Sequence, residues 1–313
     1  MANCHNLFQD YHAELSIGSK KNERMKDSKE GLRKRVRQWF KENHPEYVPY
    51  FYIQGSYKMK NGIRTSEDIC DLDDGIYFFR APDVTASTLK EWVRQAVDGY
   101  TSSDAENRKK CVRSIFANDY EIDHPVYCKE DGKEYQIAVK GVGFEDSDPK
   151  AMVNWFVNKK DAEGRLVRAV KYLKGWADKQ SFKMPSGLAL TILASNAKEQ
   201  IALNQRDDIT LKDILKEIKK ELNNSFKCIV PAIPNDDLLE NYVNKDKFLN
   251  ALDMFIEDAD SAIRNTNQKE ASKFWCKHLG NRFPLGEDKE EKTSYGTAAA
   301  AAGALTSYPF GHE

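Results

Sequence analysis

The sequence predicts an α+β protein of two lobes, in which a mixed sheet with flanking helices is followed by a helical lobe, with a cleft between them. Two observations lead to this prediction. Between residues 49 and 140, short runs of strand character are separated by turn residues, whereas from residue 148 apolar residues recur at helical spacing. We therefore place the sheet and the N-terminal helices in residues 1–147 and the helical lobe in residues 148–285. Residues 286–313 are polar, then rich in alanine and glycine, which predicts a flexible tail.

The individual elements follow from apolar spacing and from capping and breaking residues. Leu32, Val36 and Phe40 recur every four residues in a helix that Pro45 ends. Helices are predicted at residues 5–21, 26–43, 86–99, 149–158, 163–179, 210–223, 246–264 and 268–280, with one more in which Pro185 takes the first position. Strands are predicted at residues 49–54, 69–79, 111–116, 120–127 and 134–140.

The composition is that of an ordinary soluble globular protein. The 313 residues are 40% hydrophobic and 31% charged, and the formal net charge is −1. Proteins that bind duplex nucleic acid usually carry a basic excess, so strong binding to duplex DNA is not expected. The six cysteines include no Cys-x-x-Cys pair, which disfavours a zinc ribbon and fits a reducing compartment. Since no apolar signal core or membrane-length run is present, we expect a cytoplasmic protein without a membrane partner.

Acidic side chains occur within the second predicted strand, where unpaired charge is costly. Asp71 and Asp73 point to the same face because side chains alternate along a strand, and Leu72 between them points into the core. Carboxylate oxygens are ligands for Mg²⁺, and Mn²⁺ is expected to substitute. Asp123, in another predicted strand, can come alongside as the third ligand. Two ions about 4 Å apart would then clamp the attacking and leaving oxygens of a phosphoryl displacement. An isolated acid-x-acid pair is usually a solvated turn, but the apolar neighbours favour a metal site.

Two other segments are suited to hold phosphate. Gly55-Ser56 follows an apolar strand, where glycine lets backbone N–H groups approach a phosphate and serine adds a donor. Ser186 lies in the first turn of the helix that begins at Pro185, where N–H groups and the helix dipole favour an anion. Simple helix capping is the alternative interpretation of Ser186.

These runs resemble the CD-NTases, bacterial enzymes related to animal cyclic GMP-AMP synthase and oligoadenylate synthase within the polymerase β-type nucleotidyltransferase superfamily. The likeness covers roughly residues 5–280. It rests on Gln-Gly-Ser-Tyr at 54–57, Asp-Leu-Asp-Asp-Gly-Ile-Tyr at 71–77, Asp-His-Pro-Val-Tyr at 123–127 and the basic helix at 165–174. The resemblance implies a polymerase β-type palm in which Asp71 and Asp73 bind both metal ions and Asp123 binds one. It further implies that the donor triphosphate is held by Gln54, Gly55, Ser56, Lys171 and Ser186.

The resemblance also implies an activity. The expected enzyme condenses nucleoside triphosphates, ATP and GTP among them, into a cyclic di- or trinucleotide with release of pyrophosphate. That product would be a second messenger for a separate effector in bacterial anti-phage (CBASS) signalling. In some relatives the C-terminus is joined to other proteins. The motifs alone require only nucleotidyl transfer, so an enzyme that modifies RNA or protein, as in toxin–antitoxin pairs, and a non-catalytic nucleotide- or RNA-binding module remain alternatives. Base identity, linkage, ring size, activating signal and oligomeric state stay open.

Overall fold

The computed structural model describes residues 1–117 and 119–290. In that part of the chain the helices are α1 (His5–Leu15), α2 (Ser19–Asn43), α3 (Gly55–Met59), α4 (Ala86–Val97), α5 (Pro149–Lys159), α6 (Arg165–Lys179), α7 (Gly187–Gln200), α8 (Asp207–Asn224), α9 (Lys245–Arg264) and α10 (Gln268–Leu279). The strands are β1 (Tyr50–Gln54), β2 (Asp71–Phe78), β3 (Glu106–Asn107), β4 (Val112–Phe116), β5 (Tyr120–His124), β6 (Val126–Cys128), β7 (Gln136–Val139) and β8 (Gly143–Asp146). The strands precede helix α5, as the change of pattern near residue 148 predicts.

Strand β2 lies in the interior of the sheet and pairs with three other strands. It pairs with β1 in antiparallel fashion along one edge and with β5 and β6 in parallel along the other. Strands β5 and β6 continue one another past Pro125, whose carbonyl accepts a hydrogen bond of 2.8 Å from the backbone N–H of Ile76. Strand β4 then pairs with β5, and β7 pairs with β6, both antiparallel. The sheet is therefore mixed, and its parallel register sets Asp73 directly beside Asp123.

The two faces of β2 have different surroundings. Leu72, Ile76 and Phe78 are fully buried against helices α2 and α4, which contribute apolar stripes that include Leu32 and Leu89. Each buried side chain of this size contributes about 1.5–3 kcal/mol to folding. Because side chains alternate along the strand, the residues between them face the opposite side, toward the helical lobe. This alternation places Asp71 and Asp73 at the cleft, whereas Asp74 lies on the buried face with Leu72.

Helix α1 packs with the helical lobe rather than with the sheet. Phe8 is fully buried, and its ring centroid lies 5.0 Å from that of Tyr172 of α6 and 4.9 Å from that of Trp275 of α10. Tyr11 and Leu15 extend this contact into the same core. The predicted boundary assigned all of residues 1–147 to the sheet lobe. The apolar face of α1 instead packs against α6 and α8, and its Phe8 contacts Trp275 of α10.

Several predicted boundaries also differ from the structure. The helix predicted at residues 5–21 ends at Leu15, and the next begins at Ser19 instead of residue 26, since Ser16 and Gly18 have extended backbone angles. Strands β3 and β8 were not predicted, because two and four residues carry too weak a pattern. Helix α4 is capped by Thr85, whose Oγ1 accepts the backbone N–H of Thr88 at 3.1 Å.

Residues 286–290, which the sequence analysis assigned to a flexible tail, contact helix α10. The backbone N–H of Gly286 donates to Ser272 Oγ at 2.9 Å, and that of Glu287 donates to Gln268 Oε1 at 3.1 Å. These contacts fasten the segment to α10. Residues 291–313, the rest of the predicted tail and the segment that would be conjugated in some relatives, lie outside the described residues. Across the part of the chain that is described, no helix has the length and apolar character needed to cross a membrane.

Candidate active site

A cavity of about 410 Å³ lies where the sheet meets the helical lobe. The sheet lobe contributes Gly55, Ser56, Asp71 and Asp73, and α6 contributes Lys174. The beginning of α7 contributes Gly187, Leu188 and Thr191. The structure thus brings the predicted phosphate turn and the first two predicted acids into one concave site. Its size suits a nucleotide-sized ligand, since pockets for small molecules usually measure about 300–1,000 Å³.

Asp71 and Asp73 are two neighbouring carboxyl groups without a counter-charge in direct contact, since neither makes an ion pair with any described side chain. Burial raises the pKa of Asp73 to about 7, and the negative charges of Asp123 and Asp71 add to the rise. Burial also raises the pKa of Asp71, although the positive charge of Arg113 acts in the opposite direction. Two carboxylates with raised pKa values on one strand face form a site that a cation would stabilise.

Asp123 is paired, in contrast to the other two acids. Arg113 of β4 donates to it through two nitrogens, with Nε 2.7 Å from Oδ1 and Nη2 2.7 Å from Oδ2. The same guanidinium also contacts Glu121 through Nη1. Arg113 was not predicted as a site residue, and it is the antiparallel register of β4 and β5 that sets it opposite Asp123. The only sequence signal was a basic residue inside a short apolar strand.

The donor set fits a divalent ion in part. Asp71 and Asp73 supply hard oxygen atoms, and Mg²⁺ typically takes one or two carboxylates together with substrate phosphates. Within residues 1–117 and 119–290, however, no three His, Cys, Asp or Glu side chains are grouped closely enough to hold an ion. Both Asp123 oxygens are engaged by Arg113. The pair on β2 therefore fits one divalent cation, and the predicted third ligand becomes available only when Arg113 releases it.

The phosphate turn is the start of the short helix α3. Gly55 has φ of +60°, a conformation that glycine adopts without strain, and Ser56 lines the cavity. Gln54, expected to touch the nucleotide, is only 7% exposed. Its Oε1 accepts from the Tyr77 hydroxyl at 2.8 Å, and its Nε2 donates to the Tyr127 hydroxyl at 3.0 Å. The amide of Gln54 thus fastens the turn to the sheet and has no polar end directed to the cavity.

The structure places Lys174, and not the predicted Lys171, at the cavity. The ammonium of Lys171 donates to Ser16 Oγ at 2.9 Å, whereas that of Lys174 donates to the carbonyl and the side-chain Oδ1 of Asn61, both at 3.0 Å. Burial lowers the pKa of both ammonium groups, that of Lys174 to about 8, with Asp73 opposing the fall. The two lysines are one helical turn apart, so the sequence could not tell which one faces the cleft.

Ser186 is the N-cap of α7 instead of a first-turn residue. Its Oγ accepts the backbone N–H of Ala189 at 3.1 Å, which is the capping arrangement that sequence analysis kept as the alternative. The predicted start of this helix was two residues too early, because the helix begins at Gly187 and not at Pro185. Gly187 and Leu188 line the cavity next to the cap. The beginning of α7 therefore faces the cavity through its backbone.

Comparison with known proteins matches part of the chain to one family. Residues 49–127 match the family described as cyclic GMP-AMP synthase DncV-like, nucleotidyltransferase domain. A cyclic GMP-AMP synthase from Escherichia albertii is 31% identical over 205 residues, which is 58% of this chain and 46% of that protein. The chain thus spans about half the length of this relative. The matched residues include both β2 acids, Asp123 and the Gly55-Ser56 turn.

Solved structures extend the likeness to the whole fold. The Vibrio cholerae DncV cyclic AMP-GMP synthase superposes with a TM-score of 0.79 at 19% identity, covering 91% of this chain and 98% of that one. The 3′-deoxy GTP bound form of Escherichia coli DncV superposes with a TM-score of 0.74 at 18% identity, covering 86% and 93%. The predicted fold class, a polymerase β-type palm with a C-terminal helical lobe, is confirmed, and so is the resemblance identified in the sequence.

Proposed function

We propose that this chain, a member of the CD-NTase family with a DncV-like nucleotidyltransferase domain at residues 49–127, joins ATP and GTP into a cyclic dinucleotide and releases pyrophosphate. One observation carries the proposal: a single interlobe cavity is lined by the Gly55-Ser56 turn, by Asp71 and Asp73, and by Lys174. The relatives support the choice of product. The Escherichia albertii protein is a cyclic GMP-AMP synthase, and the Vibrio cholerae enzyme has been solved with the linear intermediate 5′ pppA(3′,5′)pG.

The reaction is a nucleotidyl transfer performed twice. A ribose hydroxyl oxygen of one nucleotide attacks the α-phosphorus of a second, the bond to the pyrophosphate leaving group breaks, and the hydroxyl loses its proton. The same transfer within the linear product closes the ring. The protein forms no covalent bond with the substrate in this reaction. The rate therefore depends on positioning the two nucleotides and on stabilising the negative charge of the phosphates.

The residues of the cavity divide this work between them. Backbone N–H groups at Gly55 and the hydroxyl of Ser56 hold the donor phosphates. The Lys174 ammonium, which faces the acids across the cavity, neutralises phosphate charge. Asp71 and Asp73 are the residues that would hold Mg²⁺. When bound, the ion supplies charge stabilisation at the phosphates and lowers the pKa of the attacking hydroxyl.

The product should have a signalling role in the cell. We expect the product to act as a diffusible second messenger in bacterial anti-phage (CBASS) signalling and to switch on a separate effector. A cytoplasmic location suits a substrate pool of ATP and GTP. Conjugation of the C-terminal segment to another protein would fall in residues 291–313. These expectations follow from the resemblance to the CD-NTases.

The test is incubation of the purified full chain with all four labelled nucleoside triphosphates and Mg²⁺. We expect pyrophosphate release and a small phosphatase-resistant product, identified by mass spectrometry. The double variant Asp71→Asn with Asp73→Asn should lose both. A matched control replaces two exposed acids outside the cavity, Asp104→Asn with Asp131→Asn, and should keep them. Label on RNA or protein would replace the proposal with a macromolecule-modifying enzyme, and unchanged activity in the cavity variant would reject the site.

A further inference from the structure

The three predicted metal ligands differ in one respect. Asp71 and Asp73 have no ion-pair partner among the described residues, whereas Asp123 has a bidentate one in Arg113. Asp123 is 9% exposed, so this guanidinium is the group that replaces water around the carboxylate. A buried carboxylate needs such a partner, because leaving it unpaired is costly. Arg113 therefore supplies the positive charge at the third acid when no metal ion is bound.

A second acid lies within reach of the same guanidinium. Glu121 and Asp123 are two residues apart on β5, so they share a face. Arg113 on β4 is the register partner of Asp123 and lies diagonally across from Glu121, whose own partner is Ile115. Arg113 contacts Asp123 through Nε and Nη2 and contacts Glu121 through Nη1. The contact with Glu121 uses a different nitrogen, so it can persist after the two bonds to Asp123 are broken. Glu121 is thus an alternative partner that keeps the cation beside the strand.

We propose that Arg113 is a placeholder cation for the second metal ion, and that Glu121 retains Arg113 when Asp123 turns to that ion. The inference rests on the proposed function only in taking Asp71, Asp73 and Asp123 as the metal ligands. The two divalent ions should therefore bind in a fixed order. The first binds at Asp71 and Asp73 without displacing a protein group, and the second must displace Arg113 from Asp123. Glu121 is a positioning residue, since it acts on the site through Arg113.

The test measures Mn²⁺ binding to the full chain without nucleotide, monitored by electron paramagnetic resonance. A pH of about 8 is used because metal ions then compete well with protons for the carboxylates. The wild type should show a tighter and a weaker class of site. Arg113→Gln should tighten the weaker class about tenfold, because the charge-assisted hydrogen bonds that oppose it are gone. Glu121→Gln should weaken that class, because Arg113 loses its alternative partner and stays on Asp123. Lys110→Gln, which removes an exposed charge from the adjoining segment, should change neither class.

Opposite signs from the two substitutions are required by the proposal, but loss of charge alone gives the same signs. The deciding variant is therefore Arg113→Lys: if it binds Mn²⁺ as the wild type does, only charge matters and the placeholder role of the bidentate pair is rejected. If both Arg113→Gln and Glu121→Gln weaken Mn²⁺ binding, or if neither changes it, the proposal is overturned. Arg113→Lys, which keeps the charge but loses the bidentate geometry, should lie between wild type and Arg113→Gln. Asp123→Asn should remove the weaker class. If Asp71→Asn with Asp73→Asn leaves the tighter class intact, the site assignment itself fails, which is a separate result.

Discussion

The backbone of Gly55 lies directly against the carboxylate of Asp73. A Cβ atom placed on Gly55 would be 2.8 Å from Cγ of Asp73 and closer still to its Oδ2. The same glycine has φ of +60°, in the left-handed region. The phosphate turn and the acidic strand are therefore in direct contact at Gly55. They can approach this closely only because glycine has no side chain.

Gly55→Ala should consequently remove most of the nucleotidyl transfer activity. The new methyl must push the turn or the carboxylate aside, and displacements of about 1 Å in such sites cost roughly a hundredfold in rate. Initial rates of pyrophosphate release measure the effect. The matched control is Gly132→Ala, where φ is +76° and a Cβ meets nothing within 4 Å. It carries the backbone strain, about 1–2 kcal/mol, without the collision. Equal losses in the two variants would show that strain alone matters.

The acidic strand could be predicted from the sequence because its signal is local. Alternation along one strand places Asp71 and Asp73 on the same face whatever the rest of the chain does. The role of Arg113 depends instead on the register between β4 and β5, which no local pattern states. The choice between Lys171 and Lys174 depends on how α6 is rotated against the sheet, and both lysines lie outside its apolar stripe. What the sequence left undecided was thus set by tertiary packing.

The two lysines of α6 should respond differently to substitution. Lys174→Gln removes the cation that lines the cavity, so we expect kcat/KM for nucleoside triphosphates to fall about tenfold to a hundredfold, as for the loss of a charged contact to phosphate. Lys171→Gln removes the bond to Ser16 instead and should lower the melting temperature more than kcat/KM. Steady-state kinetics and thermal melts of both variants provide the comparison. The reverse order of effects would restore Lys171 as the triphosphate ligand.

Stabilisation by Mg²⁺ should increase with pH. The pKa of Asp73 is about 7 in the folded metal-free protein, above the value near 4 of an unfolded aspartate. The folded state therefore binds more protons than the unfolded state between about pH 4 and pH 7, so metal-free stability falls as pH rises through that window. A metal ion must displace the same proton. We expect a larger Mg²⁺-induced rise in melting temperature at about pH 8 than at about pH 6.

Differential scanning fluorimetry with and without Mg²⁺ at the two pH values provides this measurement. Asp73→Asn removes the titrating group and should flatten the difference. Asp83→Asn is a suitable control, because this exposed acid lies outside the cavity. A metal effect of equal size at both pH values in the wild type would mean that Asp73 is already ionised at the lower one.

The opposite face of β2 carries a buried ion pair, and removing one partner from it should be strongly destabilising. Asp74 is fully buried, and Arg33 of α2 donates to it with Nε 2.8 Å from Oδ2 and Nη2 2.5 Å from Oδ1. Arg33→Ala leaves the carboxylate buried and unpaired, which should lower the free energy of unfolding by about 3–5 kcal/mol. Urea denaturation measures it. Arg37→Ala is the matched control, because both guanidinium groups lie over the Phe51 ring but Arg37 is exposed.

The double variant Arg33→Met with Asp74→Asn separates the charge from the packing. If the loss in Arg33→Ala comes from the unpaired carboxylate, removing both charges should recover much of it, because the penalty belongs to the isolated ion and not to the missing bond. If the double variant is as unstable as Arg33→Ala, the loss comes instead from the packing of α2 on β2. Either result bears on the site, since Asp74 follows Asp73 in the chain, and a shift of β2 would move the acids that face the cavity.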